Sequence, residues 1–293
     1  MQATYRGMDR ATLDREYNAR ATVPDVGPFL AEYRRRTDAA RASLPCRTDI
    51  PYGPTPDERL DIYPAATPGP APVFLFIHGG YWRALDSADS GFMAPYLTAR
   101  GACVVALNYA LAPGASLDEI TRQCRAALAW VHANIAAHGG DPARIHLSGS
   151  SAGGHLAAML IAGGDWPAAF GLPPRPVAGA TLLSGLYDLE PIRLCHVNDW
   201  LALDEAAARR LSPLALPPPA PIPVVHCVAA TETAEFRRQT HDHAAFCALA
   251  GCTTHSIPAP PGSNHFDLPF ALCEDTPLSR ATLSVMGLDS KSL

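Results

Sequence analysis

Lysine is almost missing from this sequence: Lys291, near the carboxyl end, is the single one in 293 residues. Schiff-base catalysis, a pyridoxal phosphate site and a Walker-type phosphate loop all need an internal lysine. Those reaction classes are excluded. The eight cysteines are scattered and contain no C-x-x-C pair. No uninterrupted apolar stretch reaches the length of a membrane span. Charges are sparse and mildly acidic, 23 basic against 28 acidic residues without a long basic cluster, so neither nucleic acid nor an anionic membrane is expected as a partner. The amino-terminal stretch "MQATYRGMDRATLDREY" lacks an apolar run, so no signal peptide is expected and the cytoplasm is the expected compartment. There the cysteines are reduced thiols. A chain of this length buries roughly three quarters of its unfolded surface, so stability requires neither disulfides nor a metal.

What is present alternates between strand and helix. "VFLFI" (73 to 77) and "CVVAL" (103 to 107) are continuous apolar runs, as in strands buried on both faces of a parallel sheet. "RIHLSG", "VAGATLLSG", "PIPVVHCVAA" and "TTHSIPA" add further strands, and "CRTDIPY" with "ERLDIYPA" reads as an antiparallel pair at the sheet edge. Residues 1 to about 44 read as helical, with Phe29, Leu30 and Tyr33 on one face. Residues 87 to 100 read as helix. Ser116 and Glu119 have capping-box spacing, and Ile120, Cys124, Leu128, Val131 and Ile135 recur at helical intervals. Such alternation predicts an α/β fold with a mainly parallel central sheet flanked by helices. Residues 189 to 221 interrupt the rhythm and are expected to form a small helical cap. We expect one domain over 1 to 293, with 1 to 44 as an amino-terminal segment.

"HLSGSSAGGH" (146 to 155) offers Ser148, Ser150 and Ser151. Only Ser151 has glycine at both flanking positions of G-x-S-x-G, the tight strand-to-helix turn that exposes a nucleophilic serine. Active sites of parallel sheets form beyond the carboxyl ends of the strands. Four segments should reach that rim: "HGGYW" (78 to 82), Ser151, "ATETAEF" (230 to 236) and "GSNHFD" (262 to 267). A serine, an acid and a histidine therefore follow strands in the chain order of α/β-hydrolases. His265 would serve as the base for Ser151, and a buried carboxylate would hold its tautomer. Backbone N–H groups at Gly79, Gly80 and Ala152 would receive the oxyanion. Tyr81, Trp82 and Tyr109 are candidates for an aromatic substrate pocket, with packing at the rim as the alternative.

The motifs "HGGYW", "NYALAP", "GGDPARIHLSGSSAGGH", "SGLYDLEPI", "ETAEFRRQT" and "NHFD" resemble the kynurenine formamidase (arylformamidase) branch of the α/β-hydrolase superfamily, close to the hormone-sensitive-lipase-like esterases. The resemblance covers roughly residues 45 to 270. It implies Ser151 as nucleophile, His265 as base and Glu232 in the place of the acid. That branch usually carries Asp there, so this chain's Glu is one methylene longer. The resemblance implies an acyl-enzyme hydrolase of small acyl groups, acting on N-formyl or N-acyl aryl amines. A carboxylesterase of small esters would need the same residues. No cofactor and no metal are implied, the partner is a small-molecule acyl substrate, and a homo-oligomer is left open.

Other residues compete for these roles. Asp188 reads as a turn residue, Glu235 as a partner for Arg237 and Arg238 or a helix cap, and Asp267 as too near His265 to reach back. His78 is expected to brace the oxyanion loop and His155 to be structural. The two histidines of "HDH" (241 to 243) are expected to face solvent, because they lie on different faces of a helix. No clustered His and Asp suggests a metal-dependent amidase. A non-catalytic binding relative on the same fold would lack the serine or the histidine, and here both stand in full motif context.

Overall fold

In the computed structural model, which describes residues 4–288, the apolar runs pair side by side at the centre of one eight-stranded sheet. The strands are β1 (Arg47–Pro51), β2 (Arg59–Tyr63), β3 (Ala71–Ile77), β4 (Cys103–Leu107), β5 (Gly140–Ser150), β6 (Gly179–Leu183), β7 (Pro223–Cys227) and β8 (Thr253–Ser256). They lie in the order β1-β2-β4-β3-β5-β6-β7-β8. The first two pairings, β1 with β2 and β2 with β4, are antiparallel, and the remainder are parallel. Every residue of β3, β4 and β6 is buried, because helices cover both faces. The edge strands β1 and β8 are largely exposed.

Alternate residues feed two cores. Val73, Leu75 and Ile77 pack on the side of helices Leu117–Asn134 and Ala152–Ile161, with Leu128 and Leu156. Phe74 and Phe76 pack on the other side, with Leu97, Leu278 and Leu283. The Leu117–Asn134 helix starts where its spacing predicts, the Ser116 side chain accepting from the Glu119 N–H.

Two expectations are revised by the structure. Residues 87 to 100 hold only a short 3₁₀ turn (Ser87–Asp89) and a helix at Ala94–Thr98. Between them Gly91 lies so close to the Tyr63 ring that a Cβ would stand 2.2 Å from its hydroxyl, so the chain there follows the packing of β2. The amino-terminal segment is likewise divided, into helices Arg10–Glu16 and Gly27–Ser43 with a 3₁₀ turn at Ala19–Thr22. Residues 189 to 221 form three short helices, Glu190–Arg193, Asn198–Leu201 and Glu205–Arg210, before a 3₁₀ turn.

These two additions meet above the sheet rim. Tyr5 donates to Asp188 (2.6 Å), Arg10 pairs with Asp199 (2.9 Å), and Asp14 accepts from the His196 N–H (2.5 Å). Lys291 lies outside the described residues. Among the described residues no helix is long and apolar enough to cross a membrane.

Candidate active site

β5 ends at Ser150, and Ser151 turns the chain into the next helix with φ 58° and ψ −121°. For a side-chain-bearing residue that conformation is strained. Its neighbours explain why it persists. A Cβ on Gly149 would stand 2.2 Å from the Gly153 carbonyl oxygen, and one on Gly153 would stand 2.0 Å from that of Ile77. Glycine at both positions lets helix and strands close on the serine. The Ser151 N–H donates to the Leu183 carbonyl (2.8 Å), which ties the turn to β6. Ser151 and Ser150 line a cavity of about 320 Å³, whereas Ser148 is wholly buried.

The loop after β3 forms one wall. Gly79 packs against the serine so closely that a Cβ would meet the Ser150 carbonyl oxygen at 2.8 Å and the Ser151 Cβ at 3.2 Å. Three successive residues have positive φ: Gly80 (92°), Tyr81 (50°) and Trp82 (56°). This turn sends Tyr81 and Trp82 to different sides, and Tyr109 comes from the loop after β4. Tyr81 lines the cavity and donates to the Tyr17 carbonyl (2.5 Å). Trp82 is fully buried, edge-on to His155 at 5.1 Å. Tyr109 is 1% exposed, stacked on His78 at 4.1 Å and donating to the His78 carbonyl (2.8 Å). Trp82 and Tyr109 thus stand behind the wall.

His78 itself is buried, and desolvation pulls its pKa down to about 4. The ring is neutral, so the nitrogen facing the Gly79 carbonyl (3.0 Å) carries its proton and donates. It braces the loop as expected. His155, also driven to about 4 by burial, shares a hydrogen bond of 2.7 Å with the Leu211 carbonyl at the cap. Ala152 begins the helix, where N–H groups have no partner within the helix.

The opposite wall brings an acid to a histidine. Glu232 follows β7, and His265 lies after β8 on another loop. The two loops are joined by the Thr231 N–H to the Ser263 carbonyl (2.9 Å) and the Ala230 N–H to the Ser263 hydroxyl (3.2 Å). His265 Nδ1 meets Glu232 Oε1 at 2.5 Å, with the Glu232 side chain fully buried. Phe236 and Phe266 stand edge-on to the imidazole at 5.0 and 5.2 Å. His265 lines the same cavity as Ser151.

The competing acids have other partners. Asp188 accepts from Tyr5 and from the Glu190 N–H (3.0 Å). Glu235 binds Arg238 (2.7 Å) and Tyr17 (2.8 Å). Asp267 accepts from the backbone and side-chain nitrogens of Asn264, both at 2.7 Å, and so shapes the histidine loop.

Several wall residues had no signal in the sequence. Asn18, Arg20, Arg83, His196 and Trp200 reach the cavity from the amino-terminal segment, the loop after β3 and the cap. Glu16 is tied to the acid loop, its carbonyl accepting from Thr233 (2.6 Å) and its carboxylate from the Glu235 N–H (3.1 Å). The "HDH" expectation needs a correction. His241 is exposed, but His243 is 1% exposed and hydrogen-bonded to His226 at 2.9 Å. Ligand atoms of His226, His243 and Cys247 lie within 4.8 Å of one another. That proximity joins β7 to the following helix, across 17 residues for the histidine pair, and periodicity along one element does not reveal it. None of the three lines the cavity.

With this geometry in place, similarity to known proteins bears on the whole chain. Residues 60–165 match the BD-FAE family. Kynurenine formamidase of Salmo salar is 31% identical over 296 residues, spanning 97% of this chain and 98% of that protein. Kynurenine formamidase of Danio rerio is 32% identical over 82% of this chain and 83% of its own length. The chain belongs to the kynurenine formamidase family. It is a hydrolase of the α/β-hydrolase fold. Among solved structures, a putative thioesterase from Silicibacter superimposes with a TM-score of 0.77 at 25% identity, covering 92% of this chain and 98% of that one. The carboxylesterase EstE1, from a metagenomic library, superimposes with a TM-score of 0.68 at 20% identity over 97% and 99%. The family membership thus extends across the amino-terminal segment and the cap as well as the sheet.

Proposed function

We propose that this protein hydrolyses short acyl amides of aryl amines through an acyl-enzyme formed on Ser151, with N-formylkynurenine as the substrate to which the relatives' name points. The observation that carries the reading is the His265–Glu232 pair at 2.5 Å, opening on the cavity that also holds the strained Ser151. Glu232 accepts from Nδ1–H and leaves Nε2 free to take a proton. The Ser151 oxygen adds to the acyl carbonyl while its proton passes to His265. The resulting oxyanion is received by backbone N–H groups at Ala152 and at Gly79 or Gly80, each such donor worth roughly 3 kcal/mol. Collapse breaks the C–N bond as His265 returns the proton to the departing amine. Water, deprotonated by His265, then cleaves the Ser151 ester and frees the carboxylic acid.

Asn18 and Arg20 from the amino-terminal segment and His196 and Trp200 from the cap narrow the cavity. Short acyl groups are preferred over long chains. Cleavage of small esters is the second reading, favoured by similarity to esterase LipQ of Mycobacterium tuberculosis, 34% identical over 157 residues. It needs the same residues, because only the leaving atom differs. The decisive measurement is kcat/KM on N-formylkynurenine, N-formylanilines and nitrophenyl esters of graded acyl length, with a fluorophosphonate probe mapped by mass spectrometry. The adduct should sit on Ser151, and Ser151→Ala should abolish turnover. An adduct on Ser150, or efficient hydrolysis of long-chain esters, would contradict the reading.

A further inference from the structure

The chain is acidic, with 23 basic against 28 acidic residues, yet the uncompensated charges on the cavity wall are positive. Asp89 reaches the wall but is held by Arg34 at 2.8 Å, and His196 faces Asp14 at 3.4 Å. Arg20 and Arg83 also line the cavity, and among the described residues neither forms an ion pair. Arg83 is held by something other than an acid. Its guanidinium lies over the Trp200 ring, 4.2 Å from the centroid. Trp200 is itself fastened, its indole N–H donating to the Tyr81 carbonyl (3.1 Å) and its ring edge-on to Tyr81 at 6.2 Å. A guanidinium stacked on an aromatic face keeps its N–H edge free in the plane, the geometry that suits a carboxylate.

Position along the chain sets the distance to the chemistry. The Arg83 N–H donates to the Gly80 carbonyl (3.0 Å), closing a turn that brings the two Cα atoms within about 7 Å. Gly79 and Gly80 belong to the loop packed on Ser151, and Arg83, at the end of that turn, lines the same cavity as the serine. Arg20 approaches from the 3₁₀ turn of the amino-terminal segment, Ala19–Thr22.

Resting on the acyl-hydrolase reading, we propose that Arg83, fixed on Trp200 and assisted by Arg20, is the specificity element of this site. It selects substrates whose leaving group carries a carboxylate near the aryl ring. Neither arginine takes part in the close packing of Gly79 on Ser150 and Ser151, where the acyl carbon would be attacked, so the anion is read on the leaving group.

The test begins with binding in the Ser151→Ala background, where no bond needs to break. N-formylanthranilate and formanilide, which differ by one carboxylate, are compared by calorimetry. N-formylanthranilate should bind about tenfold or more tightly than formanilide, the scale of a charge-assisted hydrogen bond, and added salt should erode the difference. Arg83→Met should remove most of that advantage, Arg83→Lys less, and Arg20→Met a smaller share, while formanilide binding stays constant. Equal binding of the two ligands, or an advantage that survives Arg83→Met with Arg20→Met, overturns the proposal. Turnover by the unaltered protein separates this from the amide reading. If carboxylated phenyl esters are preferred over neutral ones through Arg83 but formamides are not cleaved, the assignment of Arg83 stands and the amide reading falls.

Discussion

Glu232→Gln isolates the part of the site on which the mechanism most depends. In the native site the buried carboxylate lies 2.5 Å from His265 Nδ1. In the proposed mechanism it keeps the proton on Nδ1 and offsets the charge that arises when Nε2 becomes protonated. A glutamine can turn its NH₂ group toward Nδ1. The imidazole then carries its proton on Nε2 and cannot take one from the nucleophile. The expected loss in kcat is about 10⁴-fold, or roughly 5.5 kcal/mol of transition-state stabilisation. KM should change little, because Glu232 does not line the cavity. Glu232→Asp retracts the carboxylate by about one C–C bond, ~1.5 Å. The loop cannot follow freely, since Thr231 and Thr233 are held by Ser263 and Glu16. A displacement of that size costs about 10²-fold, so this variant should fall between wild type and Glu232→Gln. The assay is steady-state kcat and KM, with circular dichroism to verify the fold. Asp188→Asn should leave kcat near wild type, because Asp188 serves Tyr5 and Glu190. Abolition of activity by Asp188→Asn together with a near-normal Glu232→Gln would refute the reasoning.

Gly153→Ala places a Cβ 2.0 Å from the Ile77 carbonyl oxygen and 2.6 Å from that of His78. Both are backbone atoms, so the penalty should reach about 3 kcal/mol or more in denaturant unfolding, and a loss under about 1 kcal/mol would contradict the packing argument. Acid should destabilise the protein well before its carboxylates titrate. His78, His146, His155 and His226 are pulled from 6.5 down to about 4, chiefly by burial. Below about 6.5 the unfolded chain takes up protons that the folded one refuses until about 4, so stability is full above that window and falls as pH drops through it. Between pH 7 and 5.5 the four together should cost on the order of 5 kcal/mol. Urea melts across that range measure it, and a flat profile would show that these rings are not buried neutral.

Much of this molecule is determined by local rules that the sequence displays. The turn at Ser151 is legible because only glycine satisfies the close approaches at Gly149 and Gly153. The helix start at Ser116 follows from a side chain that caps three residues ahead, and the parallel strands follow from runs with no polar face. Strand ends in a parallel sheet share one rim, so the chain order of Ser151, Glu232 and His265 already brought them to the same side. Tertiary structure decided the rest. "YW" does not say which ring faces the cavity; three successive positive φ angles turn Tyr81 inward and bury Trp82. The helical face at Phe29 and Tyr33 does not reveal that Phe29 stacks on Phe266, at 6.0 Å, next to His265. His243 lies in a polar run, yet it is buried because His226, on β7, offers it a hydrogen bond. Arg83 meets Trp200 only because the cap folds over the loop after β3. Periodicity and capping act within about four residues, whereas these contacts span tens to hundreds. They exist only once the sheet has set the distances between its loops.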